Sequence, residues 1–153
     1  MAGVNPRRRS LCLLLAGAVI PARAGNGLPA ALDLQRDASE GAVLVLFSLP
    51  GCSYCEAVRT QHLLPMQRER GGRLAIREVD MASDALLRDF AGARVSRRQF
   101  ARAQGARIAP TVMAFGRGGG RAGEPIVGAK IPEFYGHYLE ELLAAALGPQ
   151  GLK

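Results

Sequence analysis

Val43-Leu44-Val45-Leu46-Phe47-Ser48-Leu49-Pro50-Gly51-Cys52-Ser53-Tyr54-Cys55 runs from an unbroken apolar stretch into two cysteines separated by two residues. A continuous apolar run with β-branched members is the pattern of a central strand buried on both faces. Ser48 to Gly51 then reads as a turn. Beyond it the spacing changes: Cys55, Val58, His62, Leu63 and Met66 recur every three or four residues, which marks one face of a helix. The two thiols therefore stand where a strand hands over to a helix. Two thiols at this spacing can close into a small disulfide ring and reopen.

A thiol attacks a disulfide only as thiolate, so a useful nucleophile needs its pKa lowered. A helix N-terminus does this with its unpaired N–H groups and the positive end of the macrodipole. Cys52 is accordingly expected as the exposed attacking thiol. Cys55, one turn farther in, is expected as the buried thiol that releases the partner. Ser53 and Tyr54 would tune the pair, and Tyr54 could lay its ring beside an incoming polypeptide.

Working outward, Leu28, Leu32 and Leu34 suggest a short helix before the apolar strand. Pro65 falls inside the pattern of the second helix and is expected to kink it or end it early, and Gly71-Gly72 closes that segment. Leu74 to Val79 reads as a second strand and Ser83 to Phe90 as a short helix. Ser96-Arg97-Arg98-Gln99 has the capping-box form and opens a helix to about Gln104, with Gly105 past its end. Arg107 to Phe115 enters another apolar strand, Gly116 to Gly120 turns, and Pro125 to Gly128 is an edge-like strand. Pro132 starts a last helix with Phe134, Tyr138, Leu142 and the row Leu139, Leu143, Leu147 on its apolar side. This order predicts one α/β domain with a mixed central sheet flanked by helices on both faces.

The chain has 153 residues and three cysteines. Arg7-Arg8-Arg9, the apolar Leu11 to Ile20 and Pro21-Ala22-Arg23-Ala24 have the form of an export leader over residues 1–24. The apolar part is too short to cross a bilayer, which needs about 20 residues. Arg8-Arg9-Ser10-Leu11 leaves a twin-arginine route open beside the general one. Cleavage after Ala24 would remove Cys12 and leave Cys52 and Cys55 as the only thiols of a domain spanning 25–153. It would also remove four arginines, leaving 16 basic against 13 acidic residues, so that the net charge falls from +7 to +3. No basic segment is interleaved with aromatics and there is no Trp, so nucleic acid is not an expected partner.

Ile108-Ala109-Pro110-Thr111 is the second element of interest, because an X-Pro bond ahead of a buried strand is a candidate cis bond. Phe47, Gly51-Cys52-Ser53-Tyr54-Cys55, Pro65 and Ala109-Pro110-Thr111 together resemble the thioredoxin family, and within it the exported bacterial thioredoxin-fold proteins. The resemblance covers roughly Ala42 to Leu147. It implies a thioredoxin-like fold and a periplasmic thiol–disulfide oxidoreductase. It also implies a cis Pro110 packed against the dithiol, and an Ala109 whose backbone hydrogen-bonds a substrate chain.

The departures are specific. The family usually has Trp before the first cysteine and Gly-Pro between the two, where this chain has Gly51 and Ser53-Tyr54. Many members keep a buried acid six residues before the first cysteine, and here that position is Leu46. The proton acceptor for Cys55 would then be Glu56, water or nothing.

The expected partners are cysteine-bearing protein substrates and a redox partner protein in the membrane, with a monomeric chain and no organic cofactor. Cys52, Cys55, His62 and His137 offer four possible zinc ligands, but the histidines lack the close pairing of structural zinc sites, so no metal is expected. A purely structural role for so short a disulfide ring is disfavoured because it constrains little of the unfolded chain. Two other readings remain: a polypeptide-binding module without turnover, and a glutaredoxin-like glutathione-dependent enzyme. The Val before the cis-proline and the Gly-Gly contact of glutaredoxins are missing here.

Overall fold

In chain order the elements are α1 (Leu34–Glu40), β1 (Val43–Ser48), α2 (Ser53–Val58), a π-helical turn (Arg59–Leu63), α3 (Leu64–Arg70), β2 (Ala75–Asp80), β3 (Leu86–Arg88), β4 (Arg94–Ser96), α4 (Arg97–Ala103), β5 (Thr111–Phe115), β6 (Arg121–Val127) and α5 (Pro132–Leu147). The computed structural model describes residues 27–71, 74–129 and 132–148, so the leader expected at 1–24 lies outside the described residues. Strand β1 is central. It pairs in parallel with β2 and antiparallel with β5, which pairs antiparallel with β6, giving the order β2-β1-β5-β6.

Every residue of β1 is buried because both faces of the sheet are covered. Leu44 and Leu46 point to one side, where Val58, Leu63 and Met66 of the second helical segment meet Tyr135, Leu139 and Leu143 of α5. Val43, Val45 and Phe47 point to the other, against Leu34 and Ala38 of α1 and Phe100 and Ala101 of α4. Each such apolar side chain taken fully from water contributes roughly 1.5–3 kcal/mol. A bidentate Arg77–Asp37 pair, at 2.8 and 2.6 Å, ties α1 to β2.

Several sequence expectations need correction. Ser83–Phe90 is not a helix: Leu86–Arg88 and Arg94–Ser96 form a two-stranded antiparallel sheet. The turn between them is built by Asp89, whose Oδ1 accepts from the N–H groups of Ala91 at 3.0 Å and Ala93 at 2.8 Å. Leu87 and Phe90, three residues apart, imitate helical spacing, yet Leu87 is buried between exposed neighbours, the alternation of a strand. Upstream, Leu28 and Leu32 precede the helix rather than belonging to it. Asp33 caps α1 by accepting from Arg36 N–H at 3.0 Å, and Ala30 bridges to Glu78 in parallel. Strand β5 starts at Thr111 rather than Arg107, and β6 starts earlier than expected, at Arg121.

Pro65 neither ends nor breaks the helical run. The π-helical turn immediately before it displaces the hydrogen-bond ladder, with Leu64 N–H donating to Arg59 C=O, and Pro65 sits at the start of α3, where its missing donor costs little. In α5 Leu139, Leu142 and Leu143 are buried as expected, with Tyr138 and Leu147 packed beside them, but the first aromatic is one residue off: Tyr135 is 1 % exposed whereas Phe134 is 55 % exposed. The capping box of α4 is present as read, with Ser96 Oγ accepting from Gln99 N–H at 3.1 Å and Gln99 Oε1 accepting from Ser96 N–H at 3.0 Å. A glycine is required at 119: its φ is +86°, and a Cβ there would meet Phe90 at 2.5 Å.

Candidate active site

Gly51, at φ +70°, lets the chain leave β1 sharply and deliver Cys52 to the N-cap of α2. Cys52 Sγ accepts from the N–H of Cys55 at 3.1 Å, so sulfur takes the place of the usual capping oxygen. Cys52 N–H donates to Leu49 C=O at 3.3 Å and Glu56 N–H to Cys52 C=O at 3.1 Å, fixing the turn on both sides. The two cysteines are joined as a disulfide with Cα atoms 5.2 Å apart. Cys52 is half-buried and Cys55 is 0 % exposed. Ser53 and Tyr54 stand out in solvent, Tyr54 at 67 % exposure.

The Ala109–Pro110 bond is cis. Pro110 is buried, Ala109 half-buried and Ile108 exposed. Thr111 Oγ1 donates to Ile108 C=O at 2.7 Å, and Gly128 N–H donates to Pro110 C=O at 2.8 Å. Phe47 pairs with Thr111 across the antiparallel β1–β5 register. The turn that follows β1 and the proline turn that precedes β5 therefore emerge at the same end of the sheet.

Under the dithiol turn lies a charged cluster that inspection of the sequence missed. Glu78 stands on β2 directly opposite Leu46. Its Oε1 accepts from Ser48 Oγ at 2.6 Å and from Arg59 Nη2 at 2.5 Å, and its Oε2 from Arg59 Nε at 2.9 Å. Arg59 also pairs with Glu56. Cys52, Glu56 and Arg59 are spaced i, i+4 and i+7 along one helical face. With Ser48, Glu78 and Asp80 they line one cleft of about 460 Å3. The hydrogen bond to Glu78 pushes the Arg59 guanidinium pKa up, against the opposing effect of burial. The signal that could have found Glu78 is its parity: it shares a strand face with the fully buried Ile76, an unusual place for a carboxylate without a partner. Glu56, which the sequence offered as an acceptor for Cys55, is committed to Arg59.

His62 packs its ring 4.9 Å from that of Tyr135, and burial pushes its pKa below the ordinary value. His137 instead pairs with Glu141 at 3.3 Å on the surface of α5. Among the described residues no three His, Cys, Asp or Glu side chains converge as a metal site would require.

The fold is thioredoxin-like. A single-residue mutant of thioredoxin from Halobacterium salinarum superposes with a TM-score of 0.54 at 18 % identity, over 83 % of this chain and 97 % of that one. Fasciola hepatica thioredoxin gives a TM-score of 0.56 at 13 % identity, over 78 % and 99 % of the two chains. A thioredoxin-fold protein from Helicobacter pylori gives 0.53 at 19 % identity, over 71 % of each chain. No protein-family model matches the sequence, and no curated protein matches it. At these identities the likeness establishes the architecture, a mixed sheet with helices on both faces, as the residues predict.

Proposed function

We propose that this protein is a thiol–disulfide oxidoreductase that exchanges disulfides with protein partners through Cys52. The observation that carries the reading is the asymmetry of the pair: a half-buried sulfur capping a helix start, bonded to a sealed one a turn inside. In the reducing direction, Cys52 thiolate attacks a partner disulfide, forms a mixed disulfide and expels one partner thiolate. Cys55 thiolate then attacks Cys52 sulfur, releases the second partner thiol and leaves the Cys52–Cys55 disulfide. Two electrons pass to the partner and two protons accompany them. Oxidation of a partner dithiol is the same sequence reversed.

Pro110 would press against the dithiol, and the Ala109 backbone would pair with the partner chain, with Ser53 and Tyr54 at its edge. The leader-like N-terminus supports a periplasmic location for a monomeric protein, recharged by a membrane redox partner. None of the steps calls on a bound cofactor. The test is a trap: in the native host, Cys55→Ser should accumulate partners bonded to Cys52 that appear on non-reducing gels and vanish with reductant. A Cys55→Ser protein that captures nothing would remove the proposal.

Exposed Tyr54 and Leu49 beside the dithiol, with exposed Ile108 on the proline turn at the same end of the sheet, also suit a module that holds polypeptides without turnover. That reading requires Cys52→Ser to keep full peptide affinity and the unaltered protein to show no catalytic disulfide reduction.

A further inference from the structure

Leu49, 41 % exposed, divides two depressions. On one side is the cleft that holds Cys52. On the other is a groove of about 690 Å3 between the end of β2, α4 and the segment leading to Pro110. Its floor is aliphatic, from Leu49, Met81 and Ala106, and its wall carries Arg98, Arg102 and Arg107. Arg98 is occupied in part, donating to Ala82 C=O at 2.6 Å and to Asp84 at 3.2 Å. Arg102 and Arg107 are exposed and face no carboxylate within ion-pair distance among the described residues, whereas Arg36, Arg59, Arg70, Arg77 and Arg88 each do.

We infer that this groove docks an acidic stretch of the disulfide-bearing partner polypeptide, next to its reactive cysteine; the inference rests on the exchange reading above. Leu49 lines both depressions, so a chain whose cysteine reaches Cys52 continues over Leu49 into the arginines. Guanidinium groups bind carboxylates bidentately and steer an oppositely charged partner toward encounter. The aliphatic floor gives an apolar side chain a seat between the charges. Nucleic acid does not suit the groove, because no aromatic ring lines it for bases to stack on.

The test compares peptide disulfides that differ only in the residues flanking the cysteine: glutamates, glutamines or lysines. With the full chain in its reduced form, kcat/KM should favour the glutamate peptide over the lysine peptide by roughly fivefold at low ionic strength, since each exposed charge pair contributes modestly. The preference should shrink as salt rises. Arg102→Glu combined with Arg107→Glu should invert it toward the lysine peptide. Equal rates for the three flanks, or an unchanged preference in the double variant, would overturn the groove. Equal preference for a small acidic tripeptide disulfide, with no gain from a longer flank, would overturn a polypeptide occupant.

Turnover of a small uncharged disulfide by the unaltered protein reports exchange by itself. If that fails, the exchange reading falls. The groove is then judged by fluorescence anisotropy of cysteine-free acidic and basic peptides on Cys52→Ser: acidic preference sustains it and no preference overturns it.

Discussion

The two sides of Leu49 handle charge in opposite ways. Toward Cys52, Glu56 and Glu78 both close on Arg59, and Asp80 accepts from the backbone of Ala82, so the chain answers its own charges there. Toward α4, Arg102 and Arg107 present guanidinium groups that no described carboxylate meets. A self-neutralised cluster holds geometry, because each member is fixed by hydrogen bonds and is costly to release from its partner. An unanswered cluster costs the monomer little and leaves its charge available to another molecule.

The sharpest way to break this contrast is to measure stability on both sides. Glu78→Ala removes two hydrogen bonds from a mostly buried Arg59, leaving it only the exposed Glu56, and should lower unfolding stability by about 2 kcal/mol. Arg102→Ala, at an exposed site, should change it by less than about 0.5 kcal/mol. Urea unfolding of the two variants decides the matter, and equal losses would mean that the sides do not differ in kind.

A smaller effect separates the two charges of the inner cluster. Arg59→Gln removes a cation from the cleft that holds Cys52 and should make the Cys52 thiolate harder to form. Glu78→Gln removes an anion from the same cleft, while Glu56 still meets Arg59, and should make the thiolate easier to form. Thiolate absorbance across a pH series on the reduced proteins reads both shifts. Displacements of the same sign would show that the cluster acts on the turn only by holding its shape.

The smallest effect belongs to His62, away from both sides. Burial holds its folded pKa below the ordinary value near 6.5, so between those two values the unfolded chain binds more protons than the folded one. Its contribution is therefore fully present above the ordinary value and is lost as pH falls from there toward the lowered folded pKa. Stability measured from pH 7.5 to 5 should fall less steeply in His62→Gln than in the unaltered chain.

Much of the dithiol turn was legible because its signals are local. An apolar run with no polar interruption declares a strand covered on both faces, and the change of period after Gly51 declares a helix start at the cysteines. The cis bond at Pro110 could be expected only through the resemblance, since a proline before a strand is by itself compatible with either isomer. The helix expected over Ser83–Phe90 is a strand and a turn instead: Leu87 and Phe90 satisfy helical spacing, and the Asp89 side chain that turns the chain gives no periodic signal. In α5, Phe134 and Tyr135 are adjacent aromatics, and composition does not choose which of them meets the sheet.

The order of residues alone determined that the two cysteines stand where a strand hands over to a helix and that β1 is central, since apolar periodicity reports how each element is covered. Only the tertiary structure decided that Glu78 answers Arg59 from nineteen positions away, opposite a leucine, and that Arg98, Arg102 and Arg107 gather beside Leu49. Periodicity specifies a face. It does not specify the neighbour across it, which depends on strand order and register and on the packing of helices that the chain reaches much later.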